Sequence, residues 1–145
     1  MIPIRYMLDT NMVSYIARGR SKEARRRLAQ LQEDEVACIS TITEAEIRYG
    51  LAKRPEATAL AATMEDVMSR LHILSWDREA AQAYGRLRAR LEASGQTMGS
   101  MEMLIFAHAA AAGAVLVTND KGFAVAAGSG PVDAPHAWVD WATDV

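Results

Sequence analysis

The feature that most narrows the fold is an alternation. Short apolar runs, each too brief for a helix, are separated by longer segments with helical spacing. Ile4–Leu8 is the first run, and it closes on Asp9-Thr10-Asn11. Further strands are expected over residues 36–39, 72–75 and 114–118, with a weak final strand near Val132. Helices are expected over 12–17, with Thr10 or Asn11 as cap, and from the Ser21 cap to 32. Others should run from the Ser40 cap to 53, from Pro55 to 71, from the Asp77 cap to 94, and from Gly99 or Ser100 to 113. Gly19 reads as a helix stop, and Trp138 and Trp141 as an anchor for the tail. Because each connection contains a helix, neighbouring strands should run parallel with both faces covered. The expected architecture is one α/β domain over residues 1–145, a mostly parallel sheet of about five strands flanked by helices. Reactive groups in such a sheet gather beyond the carboxyl ends of the strands.

Composition removes several classes. Half of the residues are hydrophobic and 23% are charged, enough for a core and too apolar for wholesale disorder. Sixteen basic against 18 acidic residues give a net charge of −2, so no bulk basic attraction draws nucleic acid. A single cysteine, Cys38, rules out an internal disulfide framework and the Cys-rich zinc sites. No apolar run reaches the roughly 18 residues of a membrane span. The opening MIPIRYMLDTN does not read as a signal peptide. A soluble, cytoplasmic protein is the expectation.

Acids stand where chemistry is expected. Asp9 follows the first run directly, and Asp120 comes two residues after the run over 114–118. Parallel strands open on one edge, so both carboxylates can converge there. Taken singly, Asp9 also reads as a helix cap, and Asp120 as part of an Asn-Asp-Lys-Gly turn. The helix after Ser40 has an apolar stripe of Ile42, Ala45, Tyr49 and Ala52. At about 100° per residue, Glu46 lies roughly 40° from Ile42, on the inward flank. Glu44 falls on the far side, within reach of Arg48. Glu46 is either a site carboxylate or a boundary residue snorkelling outward. Glu102 opens residues 101–112, a segment apolar around its whole circumference. A lone carboxylate there costs several kcal/mol unless it is paired, protonated or ion-bound. Glu102 is therefore a ligand aimed at the crevice or a solvated acid on a helix N-terminus.

Four carboxylates in one crevice repel one another, and a hard divalent cation relieves that repulsion. Oxygen donors without a His or Cys cluster suit Mg2+ or Mn2+ rather than Zn2+. Phosphodiester hydrolysis is the natural reaction class for one or two such ions.

The stretches that carry these acids are Met7-Leu8-Asp9-Thr10-Asn11, Ser40-Thr41-Ile42-Thr43-Glu44-Ala45-Glu46-Ile47-Arg48-Tyr49-Gly50, Met98-Gly99-Ser100-Met101-Glu102-Met103-Leu104-Ile105-Phe106-Ala107-His108-Ala109 and Leu116-Val117-Thr118-Asn119-Asp120. In this order and spacing they resemble the PIN-domain ribonucleases, and among them the VapC-type toxins of prokaryotic toxin–antitoxin pairs. The resemblance implies an endoribonuclease whose metal-binding acids are Asp9, Glu46, Glu102 and Asp120. It implies polar support from Asn11 and Thr118, residues that read equally as a cap and a strand-end hydroxyl. It further implies a homodimer and a cognate VapB-type antitoxin that reaches the active site. Glu102 departs from the pattern, since the family normally carries Asp there. The alternative is therefore a catalytically weakened PIN-fold protein that binds RNA or antitoxin.

A basic cluster holds Arg18, Arg20, Lys22, Arg25, Arg26 and Arg27 against Glu23 alone. Arg18, Arg20, Arg25 and Arg26 read as RNA phosphate contacts, or the cluster is an ordinary solvated face. Met12, Tyr15 and Ile16 are either a partner surface or core. His108 reads as a core histidine with one hydrogen-bond partner, while His72 and His136 lack ligand spacing. A phospho-acceptor receiver domain is disfavoured: it needs an acid pair after the first strand, where only Asp9 stands, and an acceptor Asp where residues 36–39 end in Ser40.

Overall fold

In the computed structural model, which describes residues 2–120 and 138–142, side-chain alternation along the strands creates two separate cores. The strands are β1 (Ile4–Leu8), β2 (Glu35–Ser40), β3 (His72–Leu74), β4 (Val115–Val117) and β5 (Trp138–Val139). The helices are α1 (Thr10–Ala17), α2 (Lys22–Ala29), α3 (Thr41–Ala52), α4 (Thr58–Ser69), α5 (Arg78–Ala93) and α6 (Ser100–Ala111). Successive strand residues point to opposite faces. Leu8, Ile39 and Val117 thus pack on one side with Met12, Val13 and Ile16 of α1, Ile47 of α3 and Met64 of α4. Met7, Cys38 and Leu116 pack on the other with Leu87 and Leu91 of α5 and Ile105 and Phe106 of α6. Met12 and Ile16 are core, which resolves their two readings.

The described sheet has five strands in the order β3-β2-β1-β4-β5, every pairing parallel. The chain moves from β1 to β2 on one side, and later places β4 on the other. That reversal opens a crevice beyond the carboxyl ends of β1 and β4. Two hydrogen bonds through Trp76 tie α6 to α3 beside it. Trp76 Nε1 donates to the Leu104 carbonyl at 3.0 Å, and Trp76 N donates to Thr41 Oγ1 at 3.1 Å. Buried His108 Nδ1 and Ser40 Oγ form a 2.7 Å bond, joining α6 to the end of β2. Among the described residues no helix is long and apolar enough to cross a membrane.

Most boundaries follow the expected caps: Ser21, Ser40 and Asp77 accept from the amides of Ala24, Ile42 and Ala80. Gly19 ends α1 with φ +67°, a conformation that favours glycine. Other expectations shift. The cap of α1 is Asp9 itself, which accepts from Met12 N, so Thr10 and Asn11 fall in the first turn. α2 ends at Ala29 because a local turn takes over: Glu35 N donates to the Gln32 carbonyl and Gln32 N to Glu35 Oε1. α4 starts at Thr58 rather than Pro55, after Ala57 N closes a turn on the Arg54 carbonyl. The fully buried residues of α3 are Thr43 and Ile47; of the expected stripe, Ile42 is half-buried against the second core, while Ala45 and Ala52 are exposed and Tyr49 is 65% exposed. The described terminal strand is Trp138–Val139, while Val132 lies outside the described residues. Trp138 is half exposed and Trp141 alone is buried, so only the second tryptophan anchors the tail.

Candidate active site

Each acid reaches the crevice by a different element, and hydroxyl groups steer two of them. Asp9 ends β1 and caps α1, only 4% exposed. Its Oδ1 accepts from Met12 N at 2.8 Å and its Oδ2 from Thr118 Oγ1 at 2.6 Å. Thr118, wholly buried after β4, also accepts from Asp120 N at 3.0 Å, so one hydroxyl bridges two of the acids. Glu46, half-buried on α3, accepts from Thr10 Oγ1 at 2.5 Å. Thr10 is a site residue that the sequence showed only as a possible cap. Its position directly after Asp9 was visible, but a partner 36 residues away was not.

Asp9, Thr10, Asn11, Glu46, Met101, Glu102, Ile105 and Asp120 line one small cleft of about 90 Å³. All four predicted acids are thus brought together, with Asn11 at the wall. Burial pushes the Asp9 carboxyl up from 3.8 to about 6. The Thr118 and Met12 hydrogen bonds oppose that rise, and the charges of Asp120 and Glu46 add to it. A larger depression of about 500 Å³ lies near Arg5, β3 and the end of α6, but its Asp77 is engaged as the α5 cap.

The donor set fits a hard divalent cation: the cleft offers four carboxylates and no His or Cys, and the buried Asp9 carboxyl lies beside the charges of Asp120 and Glu46. Among the described residues, however, no group of three or more His, Cys, Asp or Glu side chains is placed to hold a metal ion as it stands.

The basic cluster divides. Arg18 reaches a groove of about 320 Å³ that shares Thr10, Asn11 and Glu46 with the acid cleft. Arg20 is exposed and lines neither the cleft nor that groove. Arg25 turns inward and donates to the Ile16 carbonyl at 2.9 Å, clamping the α1–α2 turn. Arg26 is engaged on its own helix by Glu23 and Gln30. The structure therefore brings only Arg18 of the four to the acids. Glu44 pairs with Arg48 at 3.2 Å, as its position on the wheel implied.

The PIN domain family model matches residues 6–129. The chain belongs to the PIN domain family. Its similarity to other PIN-domain proteins runs nearly end to end. It is 37% identical to ribonuclease VapC2 of Haemophilus influenzae, over 81% of this chain and 87% of that one. It is 34% identical to the tRNA(fMet)-specific endonuclease VapC of Salmonella typhimurium over the same shares. Among solved structures, VapBC2 of Rickettsia felis bound to a promoter DNA fragment superposes with a TM-score of 0.84 at 30% identity, covering 95% of this chain and 99% of that one. DNA-bound VapBC of Salmonella typhimurium gives 0.80 at 31% identity, covering 95% and 98%. This PIN domain thus has VapC nucleases as its relatives.

Thr118→Val is expected to uncouple Asp9 and Asp120 without changing side-chain volume. The loss of a buried bond to a carboxylate should cost about 1–3 kcal/mol in urea unfolding. The Asp9 carboxyl should also titrate higher, because the Thr118 bond now holds it down. NMR titration of the carboxyl reads that shift. An unchanged titration would show that Thr118 does not steer the acid.

Proposed function

We propose that this PIN domain is a divalent-metal-dependent endoribonuclease, the toxin of a toxin–antitoxin pair held in check by a VapB-type antitoxin, with a homodimer as its assembly. The observation that carries the reading is the convergence of Asp9, Glu46, Glu102 and Asp120, from four separate segments, on one cleft. The names of its relatives, ribonuclease and endonuclease VapC, support the reaction class. The VapBC neighbours support the antitoxin.

Asp9, Glu46, Glu102 and Asp120 would hold Mg2+ or Mn2+. Bound there, such an ion supplies an activated water and offsets charge on the scissile phosphate. The protein supplies placement. Asp9 is the fixed point, held by the Met12 amide and Thr118. Thr10 restrains Glu46, and Thr118 restrains the backbone at Asp120. Arg18, on the wall of the adjoining groove, is positioned to meet a neighbouring phosphate of the RNA. Hydrolysis breaks one P–O ester bond as water adds, so no side chain need serve as nucleophile. The test is cleavage of cellular RNA by the purified chain with Mg2+ or Mn2+, with chelator as control and sequencing of the new RNA ends. Equal cleavage in chelator would overturn the metal requirement.

A second reading, that Glu102 leaves the site weakened, has its own discriminator. Glu102→Asp is expected to change the cleavage rate by no more than about tenfold, because the longer side chain already lines the cleft. A gain well beyond about 100-fold would instead favour a weakened site.

A further inference from the structure

Gly99 caps α6 with φ −59° and ψ 149°, a conformation open to any L residue. Backbone freedom therefore does not call for glycine here, as it does at Gly95 (φ +70°) and Gly113 (φ +64°). What distinguishes Gly99 is its surroundings. A Cβ at this position would overlap Glu102 Oε2, with the carboxyl carbon 2.8 Å away and Oε1 3.2 Å away. At Gly50, Gly85, Gly95 and Gly113 a Cβ would meet nothing within 4 Å. The Glu102 carboxylate thus folds back across the face of Gly99 while its side chain lines the acid cleft.

We infer that Gly99 is a positioning residue for Glu102: its missing side chain is the space that lets the longer acid fold back and present its carboxylate to the cleft. An Asp at position 102 is one carbon–carbon bond shorter and would not need that space. The glycine and the glutamate therefore act as a pair. This inference rests on the metal-site reading above, and it concerns where a carboxylate sits rather than whether the chain folds. The overlapping atoms are the far end of a flexible side chain, so a methyl group at Gly99 displaces Glu102 instead of disrupting α6.

The test is calorimetric titration of Mn2+ into the metal-free full chain, comparing wild type, Gly99→Ala, Glu102→Asp and the double variant. Gly99→Ala should weaken Mn2+ binding about tenfold with Glu102 in place, but less than about threefold in the Glu102→Asp background. Alanine is a poorer helix cap than glycine, so the metal-free Gly99→Ala protein should melt somewhat lower than wild type, to the same extent in both backgrounds. Equal losses of Mn2+ affinity in both backgrounds, or no loss in the native one, would each overturn the pairing while leaving the metal site standing. If wild type itself binds no Mn2+, the metal reading falls and the positioning role falls with it.

Discussion

Asp9→Asn will abolish RNA cleavage, by at least about 100-fold, and will at the same time make the metal-free protein more stable at pH 7. The two outcomes share one cause. Asp9 is almost completely buried at the meeting of β1, α1 and β4, where water cannot solvate its charge and Asp120 and Glu46 oppose it. Its carboxyl is raised from 3.8 to about 6, so the folded state binds the proton more tightly than the unfolded chain does. For such an acid, the cost of ionisation is absent below about pH 4, grows through pH 6 and is complete by pH 7. At 1.36 kcal/mol per pH unit that cost is roughly 3 kcal/mol. Asparagine removes the charge and can still accept from Met12 N. Weaker hydrogen bonding takes back about 1 kcal/mol. The net expectation is a gain of roughly 2 kcal/mol in urea unfolding at pH 7, shrinking to nothing near pH 4. Added Mn2+ should raise the melting temperature of wild type and leave that of Asp9→Asn unmoved. A folded Asp9→Asn protein that cuts RNA at the wild-type rate would sink the proposed chemistry. Identical stability of the two proteins at pH 4 and pH 7 would refute the electrostatic account.

Trp141→Ala should cost about 3–5 kcal/mol, the usual range for emptying a large aromatic site. Trp141 is 1% exposed. Its ring meets Tyr6 at 5.4 Å between centroids, and the Arg27 guanidinium lies 5.4 Å above it. These contacts hold β5 against β4, where Thr118 N donates to the Val139 carbonyl at 3.0 Å. The same Thr118 holds Asp9 through its hydroxyl. Loss of the tryptophan should therefore lower both the urea midpoint and the cleavage rate of whatever protein remains folded. Trp141→Phe separates the contributions. Phenylalanine keeps the ring against Tyr6 and removes an indole N–H that has no partner among the described residues. It should recover more than half of the lost stability. A Trp141→Ala protein that unfolds at the wild-type midpoint would show that β5 is not anchored by this ring.

The acids were legible because each stands beside a feature that sequence states locally. Asp9 and Asp120 follow strand runs, and Glu102 interrupts a segment with no other charge in its first turn. Glu46 was read on the inward flank of its helix, and it is half-buried at the cleft although Ala45, Tyr49 and Ala52 of the stripe drawn around it are exposed. The repeat of α3 was visible, but its phase was not. Thr43 and Ile47 are fully buried, Ile42 of the expected stripe packs half-buried on the second core, and Ala45 and Tyr49 are exposed, because the neighbours that cover α3 come from α1, α4, α6, β2 and β3. The basic cluster misled for a related reason. Charge in a sequence shows which residues are cationic, but not that Arg25 will turn under Gly19 or that Glu23 and Gln30 will engage Arg26.

The order of strands and helices, the parallel sheet and the four acids follow from the chain read in line, since periodicity and caps act over a few residues. Tertiary structure alone chose the partners: Thr10 for Glu46, Thr118 for both Asp9 and Asp120, and the bare face of Gly99 for Glu102. Those choices depend on strand register and on the rotation of each helix about its axis. Both are set by packing between segments up to 109 residues apart, as for Thr118 and Asp9, and no local pattern encodes them.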